Sequence, residues 1–306
     1  MTDFSATDAA FTGFRLVREN PRAVAVWAVV QIAISLGFGV LLALTAGSAL
    51  MAIQSQGFAK QDPAQVMATF RQLLPMYAAI AVFAVVFYPV LYAAMARAVL
   101  KPDDDRFGYL RLGRDELRQL GLLLLFGLLG FGFYLLLIVM IVVVSLVAKG
   151  GAAAVAGVLV ALIGFFGIVA AWIVVGVRLS LASPMTFASE RIDLFGSWAL
   201  TKGRFWSILG TYLLTWALAA LIYMLGFAVI AAFAALAGGG MRGLGELFHP
   251  DLGSLAAFVS PARLIQVVLS GVLTALIWPV VMTPPAAIYR ALAPAPIQRR
   301  VGEIFS

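Results

Sequence analysis

The sequence predicts an all-α membrane protein of six transmembrane helices with both termini in the cytoplasm. Three observations predict it. Hydrophobic residues make up 63% of the 306 and charged residues only 11%, against about 25% charged in soluble domains. The apolar residues fall in blocks of about 20 or more without Asp, Glu, Lys or Arg, the length a helix needs to cross a bilayer core. The cations are also sorted, sixteen of the 21 Lys and Arg residues falling on one side of the six blocks.

In chain order the spans read 23–47, 75–99, 120–148, 154–177, 206–236 and 264–289. Arg15, Arg18 and Arg22 precede the first. Arg97, Lys101, Arg106, Arg111, Arg114 and Arg118 separate the second from the third. Arg178, Arg191, Lys202 and Arg204 separate the fourth from the fifth, and Arg290, Arg299 and Arg300 follow the sixth. The opposite side holds Lys60, Arg71, Lys149, Arg242 and Arg263. The positive-inside rule then places the first set, with both termini, in the cytoplasm. The first block follows about 22 polar or amphipathic residues and is too long for a signal-peptide h-region.

The chain reads as one domain, 1–306, with an internal repeat over about 5–100, 101–178 and 179–292 and a tail at 293–306. Ahead of spans one, three and five stand AFTGFRLVRENPR, YLRLGRDELRQLG and GSWALTKGRFW, each a short amphipathic piece with basic residues. Spans two, four and six end in YPVLYAAMAR, WIVVGVR and WPVVMTPPAAIYR. The unit is an elbow helix followed by a helical hairpin, used three times in the same orientation, and parallel repeats of this kind are known among membrane folds.

The third elbow shows what such a piece does. As a helix from Ile192 to Lys202, it places Ile192, Phe195, Trp198 and Ala199 on one face and Asp193, Ser197 and Thr201 on the other. Gly203 supplies a position where a left-handed turn is cheap. Arg204 and Trp206 then open the next helix at headgroup level, where basic and indole side chains are favoured, so Trp198 and Trp206 are expected interfacial anchors. At the first elbow Asn20-Pro21 is expected to make the same break through a left-handed Asn20. On the outer side, Asp62-Pro63 and Ser260-Pro261 read as helix starts. Phe248, Leu252, Leu255 and Phe258 are placed to rest on the outer leaflet, and Gly238-Gly239-Gly240 reads as a flexible exit from span five. KGGAA at 149–153 reads as a tight turn.

Signals for chemistry are few. No ionisable residue lies in the central part of a span, which counts against proton relays and ion-coupled carriers. The absence of cysteine excludes disulfides and thiolate sites. Asp103-Asp104-Asp105 has no calcium-loop spacing and reads as a solvated turn. Asp115 and Glu116 lie among Arg111, Arg114 and Arg118 and suggest local ion pairs. His249 is the single histidine. With Glu246 and Asp251 it makes at most a weak external acid–base or metal group. Pro89 in span two, Pro279 in span six and Pro284-Pro285 near its end should kink or break their helices. Ala153, Gly157 and Ala161 let helices approach closely.

The run RLSLASPMTFASERIDLFGSWALTKGRFWSILG, residues 178–210, resembles bacterial six-span proteins of the glycerophosphoryl diester phosphodiesterase membrane domain family, and is similar, more distantly, to YciC-like inner-membrane proteins. YLRLGRDELRQLG and FRLVRENP fit the same pattern, so the resemblance covers most of the chain. It implies a bacterial inner-membrane fold linked to lipids or the envelope. Some members carry a fused phosphodiesterase barrel. The six spans here use nearly all of the 306 residues, and one histidine cannot supply the paired histidines of such a centre, so no catalytic residue transfers.

The expectation is therefore a non-enzymatic membrane protein without cofactor or metal. Its expected partners are anionic lipids, with a membrane-protein partner or a second copy as a further option and no nucleic acid despite the formal charge of +7. Arg111, Arg114, Arg118, Arg178, Arg191, Lys202 and Arg204 are the headgroup candidates. The alternative is a transporter or channel for a lipid or apolar solute, with Pro89 and Pro279 as hinges. A lipid enzyme using Glu246, His249 and Asp251 ranks last.

Overall fold

The computed structural model describes residues 4–47, 51, 62–147, 153–249, 251 and 254–293. Among these residues the chain is helical, without strands, and six helices are long and apolar enough to cross a membrane. Leu252 and most of the 149–153 turn lie outside the described residues.

Two short helices, α1 (Ala6–Ala10) and α2 (Thr12–Glu19), precede the first span, α3 (Pro21–Thr45). Ser5 caps α1 by accepting a hydrogen bond from the Asp8 N–H at 3.2 Å. The break before α3 falls at Asn20-Pro21, but Asn20 is not left-handed. It sits at φ −124°, and its N–H and side-chain amide both reach the Leu16 carbonyl, at 2.9 and 3.4 Å. Proline at the first helical position needs no partner for its missing N–H, so the turn forms without a left-handed residue.

The second span, α4 (Pro63–Leu100), is 38 residues long, or about 57 Å at 1.5 Å per residue. That is nearly twice the about 30 Å of a bilayer core. The outer amphipathic segment starting at Asp62-Pro63 is therefore continuous with the span, and neither Pro75 nor Pro89 ends the helix. A 3-10 turn (Arg106–Tyr109) leads to α5 (Arg114–Val147), so the second elbow is not a separate amphipathic helix. Helix α6 (Ala153–Leu179) returns. Two short helices, α7 (Ala182–Ser189) and α8 (Leu194–Leu200), lead into α9 (Phe205–Ala237).

Gly238, Gly239 and Gly240 form a structured reversal rather than a loose exit. Gly239 and Gly240 take φ of +74° and +78°, and α10 (Met241–Phe248) folds back along α9. After α11 (Leu255–Phe258), the sixth span is broken in two: α12 (Pro261–Met282) stops at Thr283, and α13 (Pro284–Leu292) begins on a proline. Pro284 and Pro285 thus open a new helix, whereas Pro279 lies inside one. Phe258 is only 2% exposed and fills the space left by Gly39 of α3. It is core, not an outer-leaflet contact; Phe248 and Leu255 are exposed.

Helices α4, α5, α6, α9 and α12 pack in sequence into a ring, closed where α12 meets α4, and α3 lies outside against α12 and α4. Gly13 lets α2 cross α12 in backbone contact, because a Cβ there would collide with the Pro279 carbonyl and with Val280. The packed core gathers at the basic end: Trp27, Leu91, Met95 and Tyr109 in one cluster, Val177, Leu181, Ile208 and Ile288 in another. Much of the half away from the basic end is exposed hydrocarbon, from Leu128 to Leu146 on α5 and Val155 to Phe166 on α6. A soluble protein rarely exposes so large a contiguous apolar surface.

Candidate functional site

The basic end carries two joints of different chemistry and a cavity between them. The second joint, between α4 and α5, is neutralised from within. Arg97 is 3% exposed. Its guanidinium donates to the Tyr109 carbonyl at 2.6 Å and to Glu116 Oε1 at 2.8 Å, lies 3.5 Å from Asp115, and faces the Phe187 ring at 5.4 Å. A buried charge with this many partners acts as a clasp. Arg118 pairs with Asp115 at 2.8 Å and Glu190 at 3.6 Å, and Arg111 pairs with Asp104. That hydrogen bond holds the Asp104 carboxyl below the usual carboxylate range.

Backbone geometry fixes the same joint. Phe107, Gly108 and Tyr109 all take positive φ, 50°, 62° and 65°. Left-handed non-glycine residues cost about 1–2 kcal/mol each. The conformation is held because the Trp27 indole N–H donates to the Gly108 carbonyl at 2.7 Å, and the buried Tyr109 donates through its hydroxyl to Pro102 O at 2.9 Å. Arg111 and Arg118, two of the headgroup candidates, are thus already committed to carboxylates. Arg114 is exposed.

The third joint, between α6 and α9, is built the other way. Asp193 caps α8 by accepting from the Gly196 N–H at 2.7 Å. The polar face turns inward, with Ser197 and Thr201 both fully buried: the Ser197 hydroxyl donates to the Arg178 carbonyl at 2.8 Å and the Thr201 hydroxyl to the Ser197 carbonyl at 3.0 Å. The first bond satisfies a carbonyl orphaned at the end of α6. The apolar face turns out, with Phe195 89% and Trp206 79% exposed. Gly203 takes φ +80°, as the sequence expects, and α9 begins at Phe205, one residue past Arg204.

Cations here lack anionic partners. Among the described residues no ion pair joins Arg178, Arg191, Lys202 or Arg204 to a carboxylate. The Arg178 guanidinium faces the Trp198 ring at 5.8 Å. Its Nη1 atom and the Nε of Arg204 are buried with no hydrogen-bond partner. Buried donors on a charged group are costly to leave unpaired.

A cavity of about 500 Å³ opens inside the helix ring at this level. Leu122, Phe126, Trp172, Leu179 and Met282 form its apolar wall, and Gln119, Ser180, Ser183 and Tyr212 its polar end. Gln119 and Ser183 satisfy each other: the amide donates to the Ser183 carbonyl and the Ser183 hydroxyl to Gln119 Oε1, both at 2.9 Å. No signal along the chain announced this cavity, because its lining comes from seven helices.

At the end opposite the basic one, Glu246, His249 and Asp251 line one smaller pocket of about 280 Å³ together with Ser260, Arg263 and Gln266. Among the described residues no group of three His, Cys, Asp or Glu residues could hold a metal ion. Comparison with protein-family models, curated proteins and solved structures gives no match to this chain.

Proposed function

We propose that this is a non-enzymatic integral membrane protein that gathers anionic lipid at its basic end and supports envelope organisation. The observation that carries the reading is the third joint. Arg178 and Arg204 keep buried, unpartnered donors beside an outward apolar face of Phe195, Trp198 and Trp206. A lipid phosphate would supply the missing acceptors, while indole and phenyl rings suit the headgroup level. Near an acidic surface each such cation is worth about 1 kcal/mol. Arg191 and Lys202 would add to the field, and Arg111 and Arg118 would contribute less because carboxylates already hold them.

The same proposal places the protein in a bacterial inner membrane with both termini cytoplasmic, since sixteen of its cations fall on one side of the six spans. It treats the chain as three elbow-plus-hairpin repeats and retains the resemblance to the phosphodiesterase membrane domain family and to YciC-like proteins. A membrane-protein partner or a second copy would complete the assembly. Native mass spectrometry of protein extracted with its own lipid tests the reading. Selective retention of an anionic lipid, lost when Arg178 and Arg204 are both changed to Gln, supports it. Equal retention by the variant, or no selectivity, contradicts it.

The second reading is passage of a lipid or apolar solute, favoured by the open cavity and by the break at Thr283 beside Pro279. On that reading Pro89→Ala and Pro279→Ala change transfer between vesicles. If they change thermal stability alone, the prolines are structural.

A further inference from the structure

We propose that the cavity in the helix ring is a binding site for one uncharged amphiphile: a hydrocarbon chain ending in a hydrogen-bond acceptor, of the chemistry of a monoacylglycerol. The inference goes beyond the headgroup joint. On α6 the cavity face is formed by Trp172, Val175, Gly176 and Leu179, with Ser180 just past its end, and at 100° per residue Arg178 points well away from it.

Four observations converge. The volume of about 500 Å³ lies inside the roughly 300–1,000 Å³ range of small-molecule sites. Among the residues that line it there is no Asp, Glu, Lys or Arg, so a charged ligand would be desolvated without compensation. Its wall is hydrocarbon and aromatic, and Tyr92, Leu129 and Trp172 keep exposed surface, so the cavity is open rather than sealed. One donor is left over. The Tyr212 hydroxyl is buried without a hydrogen-bond partner, beside the Ser180 hydroxyl but off bonding geometry. Ser180 gives its own proton to the Val177 carbonyl at 2.8 Å, so it does not donate to the Tyr212 oxygen. A buried hydroxyl without a partner is costly in an apolar surrounding, and a ligand carbonyl or hydroxyl oxygen removes that cost.

This arrangement explains which lining groups matter. Gln119 and Ser183 are mutually satisfied and shape the polar end. Tyr212 orients the ligand head, and the wall from Leu122 to Phe126 and Trp172 takes the chain. Gly176 keeps the entrance to this wall wide, because a Cβ built there meets nothing within 4 Å.

Equilibrium binding of radiolabelled 1-monooleoylglycerol to the delipidated full-length protein in detergent tests the proposal. Oleate serves as the charged counterpart and octadecane as the headless one. The wild type should bind monooleoylglycerol saturably at one site and oleate more weakly. Gly176→Ala, Gly176→Leu and Gly176→Phe should reduce occupancy in step with side-chain size. The Leu variant carries the test if the Phe variant fails to fold. Tyr212→Phe should weaken monooleoylglycerol about two- to tenfold, the worth of one hydrogen bond, and leave octadecane unchanged. Nonsaturable binding, equal affinity for oleate, or full occupancy in a folded Gly176→Leu protein would each overturn the assignment.

Discussion

The second and third joints join spans at the same end of the bundle, and they treat charge in opposite ways. The second draws Arg97, Arg111 and Arg118 onto Asp104, Asp115, Glu116 and Glu190 and closes on its own backbone through Tyr109 and Trp27. The third leaves Arg178 and Arg204 without carboxylates, satisfies its backbone with Ser197 and Thr201, and turns its rings outward. The number of basic residues at a joint therefore does not measure their availability. A cation already paired within the protein gains little from a lipid phosphate, while a buried one with a spare donor gains the most.

The largest effect that would break this comparison lies at Arg97. Arg97→Ala leaves Glu116 buried without its partner, which should cost about 3–5 kcal/mol and lower the unfolding midpoint in detergent sharply. Arg97→Met with Glu116→Leu should recover most of the loss. If the single variant unfolds like the wild type, the second joint is not a clasp. Next comes Gly108→Ala, which puts a Cβ on a residue at φ +62°, 3.2 Å from the Ala23 carbonyl oxygen. It should cost about 1–2 kcal/mol, measured the same way.

At the third joint the stability effects are smaller. Ser197→Ala removes one hydrogen bond to the Arg178 carbonyl, worth about 0.5–1.5 kcal/mol, and should loosen α8 as seen by faster amide exchange at Thr201. The smallest effect is a pH dependence. The folded-state pKa of Asp104 is depressed by Arg111, so its contribution is present above the unfolded value of about 3.9 and is lost as the pH falls through the folded value. Asp104→Asn should flatten the acid limb of a stability profile slightly, since the pair is partly exposed.

Much of the fold was legible because a bilayer imposes length and composition: the six uncharged runs became six spanning helices, with ends displaced where α4 extends back to Pro63 and where the sixth span breaks at Thr283. What the chain hid was tertiary. The outer extension of α4 was read as a helix start at Asp62-Pro63 apart from the span at 75–99, but Pro75 at their junction does not end the helix. In a helix it simply forfeits one backbone bond. Arg97 was read as a marker of orientation, since its partner Glu116 lies nineteen residues away. The stripe Glu116, Gln119, Leu122, spaced by three and buried together, carried the missed signal. The exposed apolar face that carries Phe195 and Trp198 was readable from helical spacing. The cavity was not, because no single helix supplies it.

The most direct measurement compares the two joints in one experiment. Arg178→Gln/Arg204→Gln and Arg111→Gln/Arg118→Gln remove the same charge, and native mass spectrometry in mixed anionic and neutral lipid reads the retained lipid of each. At about 1 kcal/mol per exposed cation, the third-joint pair should lose anionic lipid by roughly tenfold or more, while the second-joint pair loses stability and keeps its lipid. Equal loss from both variants would mean that net charge alone draws the lipid, and would contradict the distinction between the joints.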